Sequence, residues 1–179
     1  MMKQKIASIL FVFLTTITLS CQSLPAYLQE APRYQLLEQY QGENQRKDKP
    51  IVYFTQEEKQ KHTMFVQNGK LVDFKGKALD PEIAKYAKRS GFAIFVLTQE
   101  GDFIYSFDAE QQVLHHSTLN AAQDVLAAGD MLISNGEILK ISNISGHYRP
   151  KPESLNIVMM RLKDLGVPTD KIEILKMGE

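Results

Sequence analysis

Residues 131–141 read MLISNGEILKI, two short apolar runs on either side of Asn135-Gly136. Asn-Gly in that setting is the strongest short-range hairpin signal, because both central residues of the favoured turn need positive φ. The same device occurs upstream, where Thr63 to Gln67 and Lys70 to Phe74 flank Asn68-Gly69. A third pair of runs, Phe92 to Thr98 and Phe103 to Phe107, flanks Glu100-Gly101-Asp102. Each flank is rich in Val, Ile, Leu, Phe or Tyr, the residues that suit a half-buried pleated surface. Three hairpins make an antiparallel sheet the organising element of the chain.

Outward from these hairpins, Ile51 to Phe54 reads as a preceding strand and the alternating Lys171 to Lys176 (KIEILK) as a last one. Glu57 to Lys61 reads as a loop or a single helical turn. Asp80 can cap a helix that Pro81 opens and that runs through Arg89, with Ile83, Ala84 and Ala87 on one face. Leu119 to Ala128 is a second helix candidate. Pro152 to Leu165 is the clearest helix, with Leu155, Val158, Met159 and Leu162 at three- and four-residue spacing and Gly166 as a stop. The sum is a single α+β domain: an antiparallel sheet of about six to eight strands, open or barrel-like, with two or three helices.

The 179 residues suit one domain, and 44% hydrophobic residues exclude wholesale disorder. One Cys cannot close an intramolecular disulfide. With 21 basic and 21 acidic residues the chain carries no net charge, which argues against nucleic acid as a partner. No cofactor is implied.

The N-terminus is different. Lys3 and Lys5 form a positive head, Ile6 to Leu14 (IASILFVFL) an apolar stretch, and Thr15 to Ser20 a more polar tail ending at Cys21. This is a signal-peptide layout, with an apolar part too short to span a bilayer. The sole Cys at the end of that tail resembles a bacterial lipoprotein box, although Thr18 stands where a large aliphatic residue is usual. The resemblance implies lipidation of Cys21 and anchoring to a membrane; Gln22 in place of Asp favours the outer one. Ordinary cleavage, for example after Ala26, would instead give a soluble periplasmic or secreted protein. Removing residues 1–20 leaves 19 basic against 21 acidic residues, a net of −2. The reading is then residues 1–20 as signal peptide, 21–50 as lipidated Cys and tether, and 51–179 as the domain. In the tether Leu36, Leu37 and Tyr40 suit a short helical patch, and Gln41 to Pro50 has no apolar residue.

Two segments concentrate chemistry. His115-His116-Ser117-Thr118 and Ser145-Gly146-His147-Tyr148-Arg149-Pro150 hold three of the four His. The second stands between a hairpin and a helix, a junction that often forms a site.

From about Lys61 to Leu175 the chain resembles the core of the plant IQ-motif-containing calmodulin-binding proteins and of related uncharacterised fungal and bacterial proteins. The residues that carry the resemblance are FVQNGKLVD, FAIFVLT followed by FIYSF, VLHHSTL, Ala128-Gly129, Asn135-Gly136 and, most specifically, SGHYRP at 145–150. The resemblance implies a shared domain rather than a reaction. Its motif positions here are His116, Ser117, Gly129, Ser145, Gly146, His147, Tyr148 and Pro150, with Arg149 as companion. Calmodulin binding in that family belongs to a separate segment of Ile-Gln followed by spaced Arg and Gly, a pattern that this sequence lacks, so calmodulin is not expected as a partner.

Three chemical readings follow. In the first, His116, Ser117, His147, Tyr148 and Arg149, with Ser145 and Gly146, line a pocket for a small polar or anionic ligand, aided by the helix that starts after Pro152. In the second, Ser117 or Ser145 is a nucleophile, His147 or His116 its base and Asp124 or Asp130 the orienting acid, in a hydrolase or transferase to which Arg149 also contributes. No G-x-S-x-G elbow accompanies it. In the third, His115, His116 and His147 bind a metal, which neighbouring positions on a strand disfavour because their side chains diverge. Against all three stands a structural reading: His116 and Ser117 as hydrogen-bonded core residues, and SGHYRP as a turn in which Gly146 supplies an unusual φ, Pro150 stiffens the exit and Tyr148 packs. A site requires the two segments to meet in space.

Overall fold

The computed structural model describes residues 23–41, 51–81, 92–107 and 114–178. The leader, Cys21, the linker 42–50 and nearly all of the helix expected over 81–89 lie outside the described residues.

The elements in chain order are α1 (Ala26–Gln29), a 3-10 turn (Glu38–Tyr40), α2 (Gln56–Lys61), β1 (Phe65–Gln67), β2 (Lys70–Val72), β3 (Phe92–Leu97), β4 (Phe103–Ser106), α3 (His116–Leu119), β5 (Ala127–Ser134), β6 (Glu137–Ser142), α4 (Ser154–Asp164) and β7 (Glu173–Leu175). Both Asn-Gly turns form as the sequence requires, with φ of 52° and 77° at Asn68-Gly69 and 46° and 77° at Asn135-Gly136. β1 and β2 make a two-stranded sheet; the main sheet has the order β4-β3-β5-β6-β7. Every neighbouring pair is antiparallel except β6 and β7. That parallel pair follows from the connection, since a chain that returns to run alongside itself needs a crossover and α4 supplies it. The sheet is open rather than closed into a barrel, with β4 and β7 at its edges.

Both faces of the sheet are covered. Ala93, Phe95 and Leu97 of β3 point into the larger core, with Phe103, Met131 and Ile133 and with Leu155, Val158 and Leu162 of α4. Ile94 and Val96 point the other way, into a smaller core with Ile104, Leu119, Val125, Ala128 and Tyr148. This is why FAIFVL is an unbroken apolar run: a strand covered on both sides has no polar face.

Three expectations are corrected. Ile51 to Phe54 pairs with no strand; Phe54 instead plugs the smaller core and donates its N–H to Thr118 O at 3.0 Å. Leu119 to Ala128 is not a helix. The chain leaves α3 at Leu119, reverses through positive φ at Ala121 (49°) and Ala122 (62°), and enters β5 at Ala127. The segment read as tether is packed on the domain before Ile51 is reached: Leu28 and Ala31 belong to the larger core and Leu36 to the smaller one. Tyr34 and Val125 exchange backbone hydrogen bonds of 2.8 and 3.1 Å. Among the described residues no helix is long and apolar enough to cross a membrane.

Candidate functional site

α3 is a single turn at the end of a connection. Its first N–H groups are tied locally, with His115 N–H donating to Thr118 Oγ1 at 3.1 Å and Thr118 N–H to His115 O at 2.9 Å. The turn places His116 and Ser117 inward together, at 9% and 0% exposure. They sit on a helical turn and not on a strand, so the expected divergence to opposite faces does not occur. SGHYRP follows β6 and forms a tight turn. Tyr148 N–H donates to Ser145 Oγ at 3.3 Å and Arg149 N–H to Ser145 O at 3.0 Å. Asn143 clasps the turn from below, its amide donating to Pro150 O and Met177 O at 2.9 Å each.

The two segments meet. Ser117 Oγ lies 2.7 Å from His147 Nδ1. When Nε2 carries the imidazole proton, Nδ1 accepts the Ser117 hydroxyl, the pairing that a hydroxyl nucleophile and its base require. The His147 ring is held between two others, Tyr40 at 4.0 Å and His115 at 4.3 Å between centroids, both stacked. His147 O also accepts the N–H of Leu37 at 3.0 Å. The strap formed by residues 34–41 therefore closes the site from outside.

His116 is committed elsewhere. Its Nε2 donates to Gly129 O at 3.0 Å, while Asp130 Oδ1 at 3.9 Å is too far for a hydrogen bond. Burial, opposed by that bond, pushes the His116 imidazole down to about 4. Burial and the neighbouring imidazoles do the same to His147, again to about 4. Both rings are neutral at pH 7, and in this closed state His147 is a weak base. Gly129 is needed at its place, since a Cβ there would stand 1.8 Å from Ser142 O.

Other expected site residues fall outside this cluster. Tyr148 is part of the smaller core, its hydroxyl donating to Gln123 O at 2.8 Å. Ser145 is buried and serves the turn; Gly146 is exposed with φ outside the left-handed region. The left-handed residue is Arg149, at φ 44°, exposed to solvent. The amides at the start of α4 are engaged as well, with Ser154, Leu155 and Asn156 donating to the carbonyls of residues 151–153. No group of three or more His, Cys, Asp or Glu among the described residues is placed to hold an ion, because His115 and His147 stack face to face and His116 is turned to Gly129. Sequence reasoning missed Tyr40 and Asn143. Neither has a local signal, because both act on residues that only the fold brings near.

Residues 58–155, more than half of the chain and all of this cluster except Tyr40, match the sequence profile of a family described as IQ motif-containing protein middle domain. An Arabidopsis thaliana relative, IQ domain-containing protein IQM3, is 29% identical over 153 residues, covering 85% of this chain and 30% of that protein. The chain thus spans less than a third of that relative's length. No solved structure matches.

Proposed function

The chain belongs to the family described as IQ motif-containing protein middle domain, and we propose that here this domain binds a small polar or anionic molecule and is displayed at the cell envelope by a lipid on Cys21. The observation that carries the reading is the 2.7 Å contact between Ser117 and His147, side chains from two motifs thirty residues apart. A Ser–His pair set between rings is a polar centre of the kind that orients a ligand. With a ligand seated, Ser117 as nucleophile and His147 as acceptor of its proton would serve a hydrolase or transferase. Access requires Tyr40 and the strap to lift. The anchor rests on the basic head, the apolar stretch and the lone Cys21, and Gln22 directs it to the outer membrane, facing the periplasm or the surface.

The zero exposure of Ser117 favours a second reading, a non-catalytic interaction module in which the pair fastens the strap. Thermal-shift screening of the full chain against phosphorylated and sugar ligands separates the two. The first reading expects a stabilising ligand whose effect is lost in Ser117→Ala and His147→Gln and enhanced in Tyr40→Ala. Absence of any such ligand from wild type and Tyr40→Ala alike leaves the second. Labelled palmitate should enter the wild-type chain and not Cys21→Ser; an unlabelled wild type refutes the anchor.

A further inference from the structure

Arg149 takes no part in the Ser117–His147 cluster, yet it is held exposed in a conformation that a non-glycine residue adopts only at a cost, with φ at 44°. The buried Asn143 fixes where it stands. The Asn143 amide donates to Pro150 O and to Met177 O, and its Oδ1 accepts the Met177 N–H at 2.8 Å. That clasp gathers three exposed cations at one end of the domain: Arg149 and Lys151 on either side of Pro150, and Lys176 beside Met177. None of the three side chains makes an ion pair or a hydrogen bond among the described residues. Two apolar side chains are exposed with them, Ile144, next to Asn143, at 37% and Met177 at 55%. Of the nearby carboxylates, Glu173 is taken up by Lys140 at 2.7 Å. Glu153, two residues from Lys151, offsets one of the three cations and leaves the patch positive.

We propose that this patch docks the domain on an anionic lipid surface, a step that builds on the reading of Cys21 as an anchor. Cations meet the headgroup phosphates, and the apolar tips of Ile144 and Met177 enter the boundary with the acyl chains. The anchor supplies the bilayer, and the patch sets which end of the domain turns towards it. The reach agrees. α4 runs between the two places. At its last residue, Asp164, Tyr27 of α1 donates to the carboxylate at 2.6 Å; just before its start, the Tyr34 phenol is hydrogen-bonded to the Lys151 backbone. The 11 residues of α4 span about 16 Å, and the chain from Cys21 to Ala26 can cover about as much at ~3.5 Å per step.

The test partitions the full chain onto vesicles of phosphatidylcholine alone or mixed with phosphatidylglycerol. The leader and an acyl group favour both, so the quantity read is the preference for the anionic vesicle. Arg149→Gln with Lys176→Gln should lower that preference at least about tenfold, at about fivefold per cation. Lys75→Gln with Lys77→Gln removes the same charge from the exposed loop after β2 and should lower it less than about threefold. In anionic bicelles that carry a gadolinium-chelating lipid, the amides of residues 144–151 and 175–178 should broaden before those of β1 and β2. The proposal is overturned if the wild-type chain shows no preference, if the two double variants lose it alike, which makes net charge the cause, or if broadening begins at another face. It is overturned as well if the same amides shift with protein concentration in the absence of lipid, which makes a second copy the occupant. Cys21→Ser should keep the preference and lose labelled palmitate, so that failure of the anchor and failure of the patch are read apart.

Discussion

Acid should loosen this domain well above the pH at which carboxylates protonate, because two imidazoles are folded in their neutral form. His116 and His147 both stand at about 4 in the folded chain, against 6.5 when free. A depressed imidazole means that the unfolded chain binds more protons between those two values, so stability rises with pH across that window. The contribution is complete above about pH 6.5 and shrinks as pH falls towards 4. At roughly 1.4 kcal/mol per pH unit, each ring forfeits between about 2 and 3 kcal/mol by pH 4.5, and the two together roughly 5 kcal/mol. That is comparable to the whole stability of a small domain, of order 5–15 kcal/mol. Urea unfolding at pH 7.5, 6.5, 5.5 and 4.5 measures the loss directly. His116→Asn and His147→Gln should start from a lower stability, since each abandons a buried partner, but each should lose about half of the pH dependence. The imidazole C2–H resonances supply an independent readout and should titrate near 4. A stability constant within about 1 kcal/mol over that range, or resonances that titrate near 6.5, refutes the assignment of both rings as buried and neutral.

Three further outcomes are expected. Gly129→Ala must push β5 from β6, because the new methyl meets Ser142 O at 1.8 Å; the loss in urea unfolding should be at least about 3 kcal/mol, and a loss below 1 kcal/mol would mean that the strands part freely. Leu28→Ala, at 2% exposure in the larger core, should cost about 2–5 kcal/mol in the same assay, whereas a change near zero would make residues 24–31 a free tether. Ser117→Ala leaves His147 Nδ1 without its buried partner and should cost about 1–3 kcal/mol with the fold retained by circular dichroism; no cost would place that bond outside the folded state in solution.

What was legible in the sequence was local. Asn68-Gly69 and Asn135-Gly136 dictate their turns because few other dipeptides tolerate two positive φ values, and the spacing of Leu155, Val158 and Leu162 displays the buried face of α4. An apolar run shows burial but not pairing, which is why Ile51 to Phe54 looked like a strand while Phe54 is a plug. The reversal at Ala121 and Ala122 was hidden because alanine gives no warning of positive φ. Of the candidate site, residue types pointed to His147 and Ser117, and the fold joined them. Arg149 and Tyr148 share a motif with His147 but leave it in opposite directions, one to solvent and one to the core. Tyr40 lies more than a hundred residues from His147 in a polar stretch, and only the return of the chain across Val125 sets it there.

The stitching of the N-terminal strap changes what an acylated Cys21 would mean for the molecule's freedom. A leash running to Ile51 could extend roughly 100 Å, enough to cross much of a periplasm, at about 3.5 Å per residue. With α1 beginning at Ala26 and Leu28 already locked into the larger core, the slack is five peptide steps, or at most about 17 Å. A protein acylated there would not roam. It would ride close above the lipid headgroups, and whatever it met would have to come to the bilayer surface to be met.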